Sequence, residues 1–223
     1  MEGKITYFEK VGEDNTEAAL SIAKQRADEL GIKTILVAST RGNAAARAVD
    51  VFKGVKVIAV GHATGWREPN MQEFTDENKK KVESKGGVVL FASHAFTGLT
   101  RRPAPPPQPG EAPPQQPILV SDMGEIIANT YRTLSAGIKV VAEITLMAAD
   151  AGLVRTDENI IVVTGSNRGL DTAAVVRPAN SRDLFKLRII EILCKPHFPA
   201  IPGAGAAAPM AAGAPAGARR PGA

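Results

Sequence analysis

The sequence has few of the residues that make covalent or membrane structure. Its 223 residues include a single cysteine, Cys194, which excludes a disulfide within the chain and a zinc site built from several cysteines. No run of about 18 apolar residues occurs, and the first residues, MEGKITYFEK, contain no apolar signal region. We therefore expect a cytoplasmic protein with no membrane segment and no metal site.

Aromatic residues and net charge are also scarce. Aromatic residues make up 4% of the chain and hydrophobic residues 44%, so the core must consist mostly of Val, Ile, Leu and Ala. The net charge is +4, and two of the positive charges, Arg219 and Arg220, stand in an unusual C-terminal segment. Proteins that bind nucleic acids concentrate Lys and Arg on one face, often between aromatic residues. This sequence has no such stripe, and we expect no nucleic-acid partner.

Proline is concentrated in two segments. Residues 103–117 contain eight prolines, and residues 199–223 consist of Ala, Gly and Pro at all but four positions. Because proline lacks an N–H donor and fixes φ, neither segment can form regular structure. We predict one α/β ligand-binding domain over residues 1–198 with an extended loop insertion at 103–117, followed by a disordered tail. The two segments are either lineage-specific additions without a role of their own or docking sites for a proline-binding module.

The remaining sequence alternates between strands and helices. Apolar runs predict strands at 4–8, 34–38, 55–60, 87–92, 159–164, 172–176 and 187–194. Amphipathic or apolar periodicity predicts helices at 14–30, 43–52, 75–84, 123–134 and 138–151, the first with a capping-box-like start at Asp14 and Glu17. This order indicates an α/β fold, a three-layer sandwich with a mostly parallel sheet. Ligands of such folds bind beyond the carboxyl ends of the strands.

The loop after the second predicted strand, Ser39-Thr40-Arg41-Gly42-Asn43, has the chemistry of a phosphate site. It enters a helix whose free N–H groups and dipole favour an anion. The hydroxyls and the amide add donors, the arginine adds charge, and the glycine lets the backbone approach a ligand. The alternative is that Asn43 only caps the helix.

A second loop repeats this composition, and a third contains rings. The segment Gly165-Ser166-Asn167-Arg168-Gly169-Leu170-Asp171-Thr172 joins two predicted strands, and it either contacts the ligand or is a tight connection with a solvated arginine. The segment from Gly61 to Glu68 offers His62, Thr64 and Gly65 to the same site, and Trp66 either stacks on a planar ligand or packs over its own loop. His94 follows the next strand.

Two carboxylates lie seven residues apart on the most apolar predicted helix. Buried carboxylates are costly unless they are paired. Glu143 is therefore either structurally paired or a ligand-facing group that binds a hydroxyl or acts as a base, and these alternatives stay open. For Asp150 we favour a structural role.

Three motifs in this order carry a family resemblance: ASTRGN, AEITLMAADAG and GSNRGLDTA. With their flanking residues they resemble the stand-alone, archaeal-type proteins related to the C-terminal α/β domain of pyruvate kinase. The similarity covers roughly residues 5–100 and 120–197. Arg41 departs from the small residues that pyruvate kinases tend to have there. The proline-rich segment lies in a linker that relatives usually build from ordinary polar residues, and the tail has no counterpart.

The resemblance implies a function in binding. In pyruvate kinase the loop that matches Ser39, Thr40, Gly42 and Asn43 wraps the phosphate of an allosteric sugar bisphosphate, and the stand-alone relatives resemble binders of a phosphorylated ligand such as flavin mononucleotide (FMN). We expect a sensor, regulatory or cofactor-binding module that forms a homo-oligomer. Pyruvate kinase activity is not expected, because the catalytic barrel is absent. The alternatives are a flavin-dependent or other small-molecule enzyme, with His62, His94 and Glu143 as acid–base candidates, and a protein-docking module.

Overall fold

The computed structural model describes residues 3–96 and 123–197, so the proline-rich segment and the C-terminal tail lie outside the described residues. The strands are β1 (Thr6–Phe8), β2 (Thr34–Ala38), β3 (Lys56–His62), β4 (Val88–Ala92), β5 (Ile160–Thr164), β6 (Thr172–Arg177) and β7 (Arg188–Pro196). The helices are α1 (Thr16–Leu30), α2 (Asn43–Val51), α3 (Asp76–Ser84), α4 (Met123–Arg132) and α5 (Ala136–Asp150). Each described element that the sequence predicts is present.

The strands form one seven-stranded sheet in the order β1-β7-β6-β5-β2-β3-β4. Neighbouring strands are parallel except at β6, which runs antiparallel to both β5 and β7. Buried residues of α1, α2 and α3 pack on one face of the sheet, and those of α4 and α5 pack on the other. The prediction of an α/β fold with a mostly parallel sheet is therefore confirmed, and the helices make it three layers.

The central strand β2 shows why its sequence lacks alternation. Ile35 and Val37 point into the core beneath α1 and α2, whereas Leu36 points into the core beneath α5. All three side chains are fully buried, because both faces of the sheet are covered. β5, with the sequence IIVVT, pairs with β2 and is buried in the same way.

Helix α5 lies directly on the sheet. Ser135 caps it, since its hydroxyl accepts a hydrogen bond of 3.0 Å from the N–H of Ile138. A Cβ atom at Gly137 would lie 2.1 Å from Oγ1 of Thr172, so only glycine allows this approach of the helix to β6. The helix thereby brings Lys139 and Glu143, both buried, to the carboxyl ends of the strands.

Several element ends differ from the predicted ones by one or two residues, and two of these differences have an evident cause. Helix α1 begins at Thr16 after a short 3-10 helix, Glu13–Asn15, and its N-cap residue Asn15 makes no side-chain capping bond, so the capping box at Asp14 and Glu17 does not form. Tertiary contacts fix this helix start instead, because the Thr16 hydroxyl accepts a hydrogen bond from the N–H of Leu170. Strand β3 continues to His62, because residues up to His62 pair with β4.

No helix within the described ranges has the length and apolar character needed to cross a lipid bilayer.

Candidate functional site

A crevice of about 670 Å³ opens at the carboxyl ends of β2, β3 and β5. Most of the predicted site residues line it: Ser39, Thr40, Arg41, Asn43, His62, Glu143, Gly165, Ser166, Asn167, Arg168 and Gly169. Four others do not: Gly42, Thr64, Gly65 and Thr172. The parallel sheet therefore brings the three predicted loops together around one cavity.

The β2–α2 loop forms one wall and leaves backbone donors exposed to the crevice. The hydroxyl of Ser39 accepts a hydrogen bond of 3.3 Å from the N–H of Ala45. The Asn43 amide does not cap the helix, because its oxygen accepts a hydrogen bond of 2.7 Å from the Asn78 side chain. Within the described part of the chain, the N–H groups of Asn43 and Ala44 have no acceptor. They point out of the positive end of α2, where an anion is favoured.

Gly42 has a different role from the predicted one. Its φ of +93° requires glycine, and a Cβ atom there would lie 2.4 Å from Cβ of Asn78 and 2.7 Å from the Phe74 ring. The side of Gly42 that lacks a side chain therefore faces α3 and Phe74 rather than the crevice. Gly42 allows the loop to pack on the protein. The expectation that its missing side chain gives a ligand access to the backbone is not met, because that side of the residue faces the protein.

The β5–β6 loop forms the opposite wall and is held by the buried carboxylate of Asp171. This carboxylate accepts hydrogen bonds from the backbone N–H of Gly12 at 3.0 Å, from the N–H of Ser166 at 3.1 Å and from the hydroxyl of Thr172 at 2.9 Å. Thr172 is thus turned into the protein, away from the crevice. Asp171 is part of the loop that the sequence analysis describes, but no role is predicted for it there. Its position after a glycine-rich turn is the signal that could have identified it.

Positive charge lies on both walls of the crevice. Arg41 in the first wall and Arg168 in the second are exposed, and neither makes an ion pair with any residue in the described ranges. A third arginine, Arg47, lies 3.6 Å from Glu13 and 3.5 Å from Glu17, and its charge is therefore shared with these carboxylates. Arg41 and Arg168 are available to an anionic ligand between them.

On the β3 side, a carboxylate that the sequence reasoning missed orients a histidine. Nδ1 of His62 lies 2.7 Å from Oε2 of Glu73, and Nε of Arg67 lies 2.7 Å from the other carboxylate oxygen. The Glu73 side chain is only 7% exposed. Glu73 stands 11 positions beyond His62, in a loop whose path the sequence does not reveal.

The rest of the β3–α3 loop packs against the protein. The Trp66 ring stacks on the ring of His94, which follows β4, with a centroid distance of 4.1 Å, so Trp66 packs against a neighbouring segment and not only over its own loop. The hydroxyl of Thr64 accepts a hydrogen bond from Gln72, and the N–H of Gly65 donates to Met71. Thr64 and Gly65 hold this loop closed instead of lining the cavity.

Glu143 is buried beside a cation. Its carboxylate pairs with the ammonium of Lys139, accepts a hydrogen bond of 3.4 Å from the N–H of Phe96, and lies 3.7 Å from Nδ1 of His94. These contacts match the structural alternative for Glu143, although both Glu143 and Lys139 line the crevice.

Asp150 lies at the end of α5, away from the crevice. Its carboxylate accepts hydrogen bonds from the Asn180 amide and the Ser181 N–H. Partial burial acts to raise the pKa of Asp150, but these hydrogen bonds outweigh it and leave the pKa below its ordinary value. These contacts agree with the structural role that the sequence favours.

The polar groups around the crevice decide which ligand chemistry it favours. The described ranges contain no group of three or more His, Cys, Asp or Glu side chains arranged to hold a metal ion. The polar groups around the crevice are instead N–H donors, guanidinium groups and histidine–carboxylate pairs. Such a set suits an organic anion.

A comparison with protein families matches a large part of this chain. The family described as pyruvate kinase, alpha/beta domain, matches residues 17–176 of this chain, which is well over half of its length. The matched range contains both walls of the crevice, His62 and Glu143. It ends at Val176, near the end of β6.

Proposed function

This chain belongs to the family of the pyruvate kinase alpha/beta domain, and from that premise we propose that it binds a phosphorylated small molecule in the crevice. The observation that carries the proposal is the convergence of free donors on one space. The N–H groups of Asn43 and Ala44 end one wall. Arg41 and Arg168, which form no ion pair with the residues that the structure describes, flank the gap between the walls. A phosphate would accept hydrogen bonds from all of these groups.

The electrostatics favour an anion over a neutral group at this position. The N-terminus of a helix carries roughly half a positive charge, and guanidinium groups bind phosphate oxygens in pairs. Asp171, the nearest buried carboxylate of the β5–β6 loop, directs its oxygens at Gly12, Ser166 and Thr172. These donors stabilise its negative charge inside the wall. The carboxylates that line the crevice itself each lie beside a cation, Glu13 beside Arg47, Glu73 beside Arg67 and Glu143 beside Lys139.

The size of the crevice supports a ligand larger than phosphate alone. Its volume of about 670 Å³ falls within the range of roughly 300–1,000 Å³ that is typical of sites for small organic molecules. Val140, Ile144 and Met147 of α5 line it, so part of the ligand would meet an apolar surface. FMN and sugar phosphates both have a phosphate at one end and fit this description. The function would be that of a sensor, a regulatory module or a cofactor-binding module.

One observation favours a second candidate, an enzyme that acts on the bound ligand. The pair of His62 and Glu73 has the geometry of an acid–base group, with a buried carboxylate behind the ring. The docking alternative depends on residues 103–117 and 199–223, which lie outside the described residues. A homo-oligomer and a cytoplasmic location stay predictions.

The proposal is tested with FMN as the probe, by native mass spectrometry and an absorption spectrum of the purified protein and by calorimetric titration. Arg41→Gln and Arg168→Gln should each weaken FMN binding about ten-fold or more, because each removes a charged hydrogen-bond donor. Arg155→Gln is the matched control. Arg155 is an exposed arginine that precedes β5, at the amino ends of the parallel strands and thus opposite to the crevice. Equal affinity in all three variants would contradict the proposal.

A further inference from the structure

His62 ends the strand next to the proposed phosphate site. β3 pairs in parallel with β2, and Ala38, the last residue of β2, is opposite Val60. His62 therefore extends two positions beyond the end of β2, and it lines the crevice. Since neighbouring strands lie about 4.8 Å apart, the ring is one strand away from the β2–α2 loop and two strands away from the β5–β6 loop. A ligand anchored at the phosphate site has to extend only a short distance to reach it.

The contacts of His62 fix which ring nitrogen has the proton. Oε2 of Glu73 is 2.7 Å from Nδ1 of His62, and a carboxylate can only accept a hydrogen bond. Nδ1 therefore donates, and in the neutral ring Nε2 carries the lone pair. Nε of Arg67 lies 2.7 Å from the other oxygen of Glu73 and holds this carboxylate in position behind the ring. The arrangement makes Nε2 a hydrogen-bond acceptor.

An acceptor at Nε2 of His62 would complement the donors of this crevice. The groups proposed to hold the phosphate, Arg41, Arg168 and the first N–H groups of α2, are all donors. The carboxylate of Glu143 already accepts from Lys139 and from the N–H of Phe96, and that of Glu73 is bound by His62 and Arg67. In the neutral ring, Nε2 of His62 is an acceptor that has no hydrogen-bond partner within the described ranges.

We propose that Nε2 of His62, oriented by Glu73, is a subsite that accepts a hydrogen bond from an O–H or N–H group on the non-phosphate part of the ligand. This inference rests on the proposed function and narrows its ligand class. The ligand is a phosphate ester with a hydroxyl or a ring N–H one or two strand spacings, about 5–10 Å, from the phosphate. Glu73 is a positioning residue for this subsite, because it acts only through the tautomer of His62.

The first test measures the tautomer without any ligand. In ¹⁵N NMR spectra of the full chain, recorded at a pH at which the ring is neutral, His62 should have its proton on Nδ1, and the assignment follows from the signal that disappears in His62→Phe. In Glu73→Gln the proton should shift in part to Nε2, because the neutral amide no longer favours Nδ1–H. A proton on Nε2 of His62 in the unaltered chain, or an unchanged tautomer in Glu73→Gln, would overturn the proposal.

The second test measures binding of two probes, FMN and inorganic phosphate. FMN has hydroxyls and a ring N–H, whereas phosphate tests the anion site alone. His62→Phe should weaken FMN binding about ten-fold and leave phosphate binding within about two-fold, since only one hydrogen bond is lost. His62→Gln, whose amide oxygen can accept, should retain more FMN affinity than His62→Phe. His197→Phe is the control, because His197 lies outside the crevice.

The outcomes separate this inference from the function on which it rests. If the unaltered chain binds FMN and His62→Phe binds it equally well, the subsite is refuted and the phosphate site stands. If the unaltered chain binds neither FMN nor phosphate, the proposed function fails and the subsite fails with it. Equal losses for FMN and phosphate in His62→Phe would show a general disturbance of the crevice and would also overturn the subsite.

Discussion

Gly12 and Asp171 lie 159 positions apart and are joined by a buried hydrogen bond of 3.0 Å from the backbone N–H to the carboxylate. The same carboxylate binds the N–H and the hydroxyl of Ser166. One side chain thus connects the segment before α1 to the β5–β6 loop, and it holds the second wall of the crevice in place.

Asp171→Asn should destabilise the protein. The amide has one acceptor oxygen in place of the two that the donors around Asp171 use, and hydrogen bonds to charged groups contribute about 1.5–3 kcal/mol. We expect a loss of about 2 kcal/mol or more in the free energy of unfolding, measured by urea denaturation at pH 7. Asp157→Asn, on an exposed aspartate, is the control and should unfold close to the unaltered protein. If Asp171→Asn had the same urea midpoint as the unaltered protein, the β5–β6 loop would hold its shape without the negative charge of Asp171.

Gly42→Ala should destabilise the protein more than Gly54→Ala. Both glycines have positive φ, +93° and +74°, which costs other residues about 1–2 kcal/mol. A Cβ atom at Gly42 also meets Asn78 and Phe74, whereas one at Gly54 meets nothing within 4 Å. We expect a loss of about 1 kcal/mol at Gly54 and about 3 kcal/mol or more at Gly42, since overpacking adds to the strain. Equal losses of unfolding free energy in the two variants, measured by chemical denaturation, would mean that Phe74 moves aside at little cost.

Breaking the pair of Lys139 and Glu143 should cost more than removing both charges. Lys139→Met leaves a buried carboxylate without its cation, and such losses amount to about 3–5 kcal/mol. The double variant Lys139→Met with Glu143→Leu should recover much of this loss, because no buried charge is left without a partner. A double-mutant cycle of unfolding free energies measures the recovery. Simple additivity of the two single effects would argue against a coupled pair.

Cys194 should be unreactive in the folded protein. The side chain is fully buried, and burial raises the pKa of its thiol from 9.0 to about 12. A thiol-specific reagent at pH 8 should label the chain only after denaturation. Because folding raises this pKa, the contribution of the protonated thiol to stability is complete below pH 9 and is lost as the pH rises towards 12. Cys194→Ala should remove that alkaline part of the pH dependence of unfolding, and fast labelling of the native protein would contradict the expectation.

The sequence predicts the sheet well where burial on both faces leaves a continuous apolar run. Strand β2 is found at the predicted residues, and β5 begins one position later than predicted. The meeting of the loops that follow β2, β3 and β5 could be predicted too, because the carboxyl ends of parallel strands lie at one edge.

Other parts of the site could not be predicted, because long-range contacts decide them. The partner of His62 is Glu73, and only the path of the loop between them brings the two together. The direction of Thr172 depends on the strand reversal at β6, and the role of Gly42 depends on where Phe74 packs. The start of α1 is fixed by a hydrogen bond from the N–H of Leu170 to the hydroxyl of Thr16, 154 positions away, and not by a local capping pattern.

The two ends of the crevice differ in what they are made of. At the walls formed by the loops after β2 and β5, the first N–H groups of α2 belong to the backbone and the second loop is held by the buried carboxylate of Asp171, whereas Arg41 and Arg168 are exposed side chains. At the β3 side, the surface consists of side chains, His62 above all. Substitutions at His62, Arg41 or Arg168 can therefore change the chemistry of the crevice while the backbone that shapes it stays the same.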